Sequence, residues 1–224
     1  MIFEWYWFPL FYLIIYHVKW ATFTIYIHRG LVHRLFEFSN GFSNFARWYL
    51  WTCKWYWPNW REDFFLSHNY HHIHIDKEND PHDSNKFSLD ELTNVYLIEP
   101  GMPYYVPPEF KKEWLEKFPH IRNFDDRLER FFLKYPRSGQ WQLHIVCLIL
   151  YGPLAFLIGA PLFYICLKYD SPLSIIMSHS DPEKFNYTCK WLNYKSPHYT
   201  EPMGKLAVNY FPIGLLQAGE ELHS

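Results

Sequence analysis

Several classes of protein are argued against by what the 224-residue chain lacks. It has four cysteines, Cys53, Cys147, Cys166 and Cys189, with no C-x-x-C spacing. Two of them lie in apolar blocks, so they read as reduced filler, not as a disulfide framework or a zinc site. A formal net charge of −2 argues against a nucleic-acid binder that works by neutralising phosphates. There is no internal repeat and no low-complexity tract. The apolar N-terminal stretch has neither a basic leading region nor a small-residue cleavage site, so it is not read as a signal peptide. One domain, residues 1–224, is the default for this length.

What is present in excess is aromatic: 22% Phe, Trp and Tyr, with 11 tryptophans. Rings with one apolar and one wet end gather at membrane interfaces. The mean hydropathy is slightly negative, but it averages two apolar blocks with a long polar middle. The first block, residues 5–27, is broken only by His17, Lys19 and two threonines. At about 1.5 Å per residue it can cross a hydrocarbon core of about 30 Å; a buried soluble helix is the alternative. Glu4 precedes it, and Arg29, Arg34, Arg47 and Lys54 follow, which places the following segment on the cytoplasmic side. Residues 36–60 carry Phe38, Phe42, Phe45, Trp48, Tyr49, Trp51, Trp55 and Trp57. They read as a helix lying on the headgroups, or else as a core helix. Residues 83–140 are charged and cytosolic in character, with short helices over 110–118 and 125–135. The run from Leu92 to Pro108 reads as a loop or a short strand pair. The second block, residues 143–169, is long enough for one span and too short for two. One span would carry the C-terminus to the wrong side, so a return is expected, and 161–191 is the candidate segment.

The stretch Ser67–His82, SHNYHHIHIDKENDPH, holds five of the 13 histidines. His68, His71 and His72 form an H-x-x-H-H box. At about 3.6 residues per turn, positions i, i+3 and i+4 share roughly a third of a helix circumference. Imidazole suits iron, copper, nickel and zinc, and it is mostly neutral at cell pH, with an unperturbed pKa of about 6.5. A solvated histidine-rich loop is the alternative. Upstream, His28 and His33 bracket a second box. Five residues apart, they stand about 140° from each other on an ideal α-helix. They share one tight site only through a bend, for which Gly30 is the candidate, or through more than one metal.

The order of these motifs resembles the membrane fatty-acid desaturases, in particular the bacterial acyl desaturases related to stearoyl-CoA desaturase. The carriers are H-x-x-x-x-H at His28 and His33 within IYIHRGLVHR, and H-x-x-H-H at His68, His71 and His72, followed by Asp80-Pro81-His82. GEELH, from Gly219 to His223, resembles the start of the family's third box, G-E-x-x-H-x-x-H-H. DDRLERFFLKYPRSGQW resembles the linker before the family's second helical hairpin. The departures are Lys190, where Asn186-x-x-x-Lys190 stands for Asn-x-x-x-His, a third box that stops after Ser224, and a single span before the first box. With these the chain reads as a fragment or a shortened relative.

The resemblance implies an all-α fold: an integral membrane helical bundle with a cytoplasmic histidine-box cap over about 28–140 and 192–224. It implies two irons held by His28, His33, His68, His71, His72 and His223, with Asn186 as a weaker ligand. It implies O2-dependent introduction of a double bond into a long-chain acyl-CoA or acyl-lipid, along an apolar tunnel. No heme or ferredoxin domain is fused, so the electrons come from a separate donor of the ferredoxin or cytochrome b5 type. Membrane lipid is an expected partner and nucleic acid is not. Asp76, Asp80, Glu220 and Glu221 are candidates to orient the ligand imidazoles. His17, His74, His82, His120, His144, His179 and His198 are assigned structural or surface places, with His82 the best placed to support a ligand. Two other readings stand beside this one: a related di-iron hydroxylase or monooxygenase, and a catalytically inactive membrane protein that keeps the fold.

Overall fold

From Trp5 to Val32 the chain is helical throughout: a 3-10 turn (Trp5–Trp7), helix α1 (Phe8–Thr22), which takes Pro9 in its first turn where no backbone donor is needed, and a π-helix (Phe23–Val32). The computed structural model describes residues 2–35, 37–53, 57–74, 77–83, 86–93, 99–122 and 124–179, with 193–194 and 209–210; for 173–179, 193–194 and 209–210 it describes the backbone. The further helices are α2 (Asn40–Thr52), α3 (Trp60–His74), α4 (Leu89–Leu92), α5 (Pro108–Lys117), α6 (Arg127–Lys134), α7 (Ser138–Tyr151) and α8 (Pro153–His179). Apart from a two-residue antiparallel ladder that pairs Asn193 with Tyr210 and Tyr194 with Asn209, the regular structure of the described residues is helical. Between Leu92 and Pro108 the described residues form turns and irregular backbone, the loop of the two alternatives read there, and no strand. The chain divides into two compact units, residues 1–61 with 123–168, and residues 62–122 with 169–224.

In the first unit, the second apolar block is two helices and not the single stretch 143–169. α7 ends at Gly152, whose φ of +86° is left-handed backbone that glycine adopts at no steric cost. Pro153 then opens α8, since a first helical position needs no backbone donor. The contacts of α1 show that α7 and α8 run in opposite directions. The amides of Ile2 and Phe3 donate to the Leu150 carbonyl, so the start of the chain meets the end of α7. Further along α1, the Tyr12 hydroxyl and Nδ1 of His144 are hydrogen-bonded at 3.1 Å. α8 passes the same residues in the order of α1: a Cβ on Gly159 would press on Phe8 and Tyr12, and the Phe163 ring lies 5.1 Å from that of Tyr12. The chain therefore reverses direction at Gly152–Pro153, ahead of the segment 161–191 read as the candidate return; residues 180–191 of that segment lie outside the described ones. Trp5–Val32 and Pro153–Pro172 are each long and apolar enough to cross a membrane. α7, at 14 residues and about 1.5 Å per residue, is shorter than a span. Phe8, Tyr12, Leu143, Cys147, Ala155 and Phe163 close the core of the three helices. Their outer faces expose Leu13, Ile14, Ile145, Ile149, Leu157 and Ile165 among others.

α2 shows both characters that its sequence allows. Ser39 caps it by accepting from the Phe42 amide. One face is buried through Ala46, Tyr49, Leu50 and Trp51, while Phe42, Phe45 and Trp48 stay exposed. Gly139 at the start of α7 lies directly on the Trp51 carbonyl, with no room for a Cβ. The charge that interrupts α2, Arg47, is 1% exposed and is enclosed by acceptors. It donates to both oxygens of Asp126 at 2.7 and 2.8 Å, and to Glu129 at 2.9 Å. Trp60 Nε1 donates to the other Glu129 oxygen at 3.3 Å. The guanidinium groups of Arg47 and Arg61 lie 4.1 and 3.8 Å from the centre of the Phe124 ring. Asp126 also caps α6 through the Glu129 amide. The hydrogen bond from Arg47 is the main reason that its carboxyl is held down at about 2, from 3.8.

The sign of the resulting pH dependence follows. A carboxyl whose folded pKa is depressed adds stability above its unfolded pKa and loses it as pH falls through the folded value. The Asp126 contribution is thus complete above about pH 4 and lost toward about pH 2. Asp126→Asn should flatten the fall in melting temperature between these limits. Equal slopes in the two proteins would show that the pair adds nothing.

Candidate metal-ligating histidines

The first box lies in the first unit. Its geometry differs from the ideal α-helix expectation because the backbone there is a π-helix. The His33 amide donates to the His28 carbonyl at 3.1 Å, the i→i+5 bond that defines this winding. Residues five apart are thereby brought near one face, and the two imidazole centroids stand 4.7 Å apart. No bend at Gly30 is needed. Gly30 instead makes room for the Phe38 ring, which occupies the place of a Cβ. His28 is buried and His33 exposed.

The second box lies in the second unit, on α3. His68 and His72, one helical turn apart, place their Nε2 atoms 2.9 Å from each other. His68 is buried and stacks on Phe64, with ring centroids 5.3 Å apart. His72 is exposed. His71 is buried and turned to a different partner: its Nδ1 stands 2.7 Å from Oδ1 of Asp80. The same oxygen accepts the backbone amide of His82 at 2.8 Å. Burial pushes the Asp80 carboxyl upward. The His71 hydrogen bond outweighs it, with the charges of His71 and His82, and the net shift is below the ordinary carboxylate value. The carboxylate can therefore keep the His71 proton on Nδ1 and leave the Nε2 lone pair as its donor atom.

Comparison with protein-family models, with curated proteins and with solved structures finds no match to this chain.

The site thus rests on its own geometry. Of the predicted ligands, the structure brings His28 to His33 and His68 to His72, and gives His71 a carboxylate. His223 and Asn186 lie outside the described residues, as do Lys190, Asp76, Glu220 and Glu221. His82 is buried, with its ring 4.9 Å from that of His71. His74 Nδ1 stands 3.0 Å from the Tyr70 carbonyl and His144 meets Tyr12, both in structural contacts. The sequence analysis missed Tyr104, whose ring lies 4.7 Å from that of His82. Nothing in the run GMPYY signals that contact. It also missed the partners of Arg47, although a lone arginine in an aromatic helix is itself a sign of a buried pair.

The donor set fits a metal such as iron. It consists of imidazoles with no thiolate, which suits borderline first-row metals. Two imidazoles bound side by side at about 2.0–2.1 Å from one ion hold their nitrogens roughly 3 Å apart, and the His68–His72 separation is 2.9 Å. The apolar helices and the histidine groups are compatible with a membrane protein that binds metal.

Proposed function

We propose that the protein is a membrane-bound, iron-dependent acyl desaturase. The observation that carries the reading is the second box: His68 and His72 stand at ligand separation while Asp80 fixes His71 from behind. The π-helical pairing of His28 with His33 adds a second imidazole pair to that of His68 with His72. With His71 they are the ligands we assign. Asp80-Pro81-His82 and GEELH, from Gly219 to His223, favour desaturation among reactions that use such ligands. The substrate on this reading is a long-chain acyl-CoA or acyl-lipid, with O2 and an external electron donor. Bound iron would supply the activation of O2 needed to break unactivated C–H bonds, which no side chain can do.

The chain's own part is to hold and orient. Asp80 keeps the proton on His71 Nδ1, and the buried faces of His28, His68 and His71 restrict water around their rings. The positive flank of Arg29, Arg34 and Arg47 supports a cytoplasmic side for the boxes, where the donor would dock. Asp80→Asn should weaken iron(II) uptake by about 10–100-fold, because the imidazole loses the partner that fixes its tautomer. A titration that gives the wild-type affinity for this variant would remove Asp80 from the account.

The function is tested by expressing the protein with iron and a reductase system in membranes and analysing the acyl chains. A new alkene that disappears with His71→Ala supports the proposal. An alcohol in its place would favour the hydroxylase reading. The absence of any new product in iron-loaded membranes would contradict both.

A further inference from the structure

We propose that Tyr104 is a positioning residue that holds the His71–Asp80 pair through His82; its use for metal binding rests on the reading of the second box given above. The backbone around it forms successive turns, with the Met102 amide donating to Glu99 and the Tyr105 amide to Met102. At its tip Tyr104 has φ +68°, a left-handed conformation that bulky residues rarely adopt. Such a conformation persists where the surroundings over-determine it, and an observed outlier is a legitimate start for a functional hypothesis.

Three ties hold Tyr104 there. Its amide donates to the Pro81 carbonyl at 3.3 Å. Its hydroxyl donates to the Leu92 carbonyl at 3.2 Å. Its ring meets that of His82 edge-on, at 4.7 Å and 63°. Burial first, and then the Asp170 charge, keep the phenol protonated by raising its pKa, so it remains a donor to Leu92. Two of the ties land on the Asp80-Pro81-His82 turn. That turn supplies the carboxylate oxygen shared by His71 Nδ1 and the His82 amide. Removing the Tyr104 ring frees the His82 ring, while the backbone tie to the Pro81 carbonyl remains, and with the His82 ring goes the support of the Asp80 orientation.

A residue that served only the turn would predict the opposite of a positioning residue. Glycine is the natural occupant of positive φ, so Tyr104→Gly would then be neutral or stabilising, with His71 unaffected. The experiment uses the full chain in detergent micelles, free of metal and labelled with 15N-histidine. In the wild type, His71 should be locked with its proton on Nδ1 and exchange slowly, and Asp80→Asn should abolish that signal and so tell it from His74, whose Nδ1 faces the Tyr70 carbonyl. Tyr104→Gly should speed the exchange by about tenfold or more with the helical content kept, and Tyr104→Phe should do so to a smaller extent. An unchanged His71 signal in Tyr104→Gly overturns the proposal. If the glycine variant does not fold, Tyr104→Leu, which keeps bulk but removes the ring edge, is read by the same criterion. Cobalt(II) titration separates the two claims. A locked His71 that depends on Tyr104 in a protein that takes up no cobalt keeps this inference and removes the proposed function. Cobalt uptake with a His71 signal indifferent to Tyr104 does the reverse.

Discussion

His68→Ala should abolish activity, lowering turnover of an acyl substrate by about a thousandfold or more, and should cut metal uptake with it. The scale follows from what is lost. Removing an outer partner of a ligand costs about 10–100-fold in affinity or activity, and removing the ligand itself costs more. His68 is the most telling of the histidines because it is buried, stacked on Phe64, and 2.9 Å from His72. His74 is the control: it lies on the same helix, yet its Nδ1 faces the Tyr70 carbonyl. His74→Ala should leave metal uptake within about twofold of wild type, as expected for a residue outside the ligand set. Equal losses from His68→Ala and His74→Ala would point to general damage to α3, and equal retention would dismiss the box as a metal site.

Arg47→Ala should be the most destabilising single change outside the histidines, by about 3–5 kcal/mol. Arg47 answers two carboxylates, and the variant leaves Glu129, 2% exposed, without the cation. Asp126 contributes less to the loss because its side chain is 45% exposed and water can take over. The expected fall in melting temperature is roughly 6–20 °C, at about 2–4 °C per kcal/mol for a chain of this size. Arg47→Lys should recover part of it, keeping a charge but losing the two-pronged contact with Asp126. Arg47→Met combined with Glu129→Leu should recover more, since a buried ion pair replaced whole by apolar groups is often neutral or better. Thermal unfolding of the four proteins in one detergent decides the matter. A double variant no more stable than Arg47→Ala would show that packing around Phe124, and not an orphaned charge, sets the loss.

Helix identity was legible in this chain because it is written locally. Pro9 falls in the first turn of α1, Pro108 opens α5, Asp126 caps α6, and the expected short helices lie within two residues of the observed ones. The i, i+3, i+4 spacing of the second box likewise put its imidazoles on α3. Two things were not legible. The winding of residues 23–32 depends on which carbonyl each amide chooses, and α- and π-bonding share the same composition. The 140° expected between His28 and His33 therefore gave way to rings 4.7 Å apart. The turn at Gly152–Pro153 was not read from a block too short for two full spans. α7 meets that limit by being only 14 residues long. The Arg47 cluster and the Tyr104 contact join residues dozens of positions apart or depend on a loop conformation, and no periodicity reports either.

The most direct test of the account is the metal content of the protein purified from iron-supplemented cells, by elemental analysis against protein mass. The account predicts about two irons per chain, falling sharply in His68→Ala and retained in His74→Ala. A protein that carries no metal, or one zinc in place of iron, would contradict it.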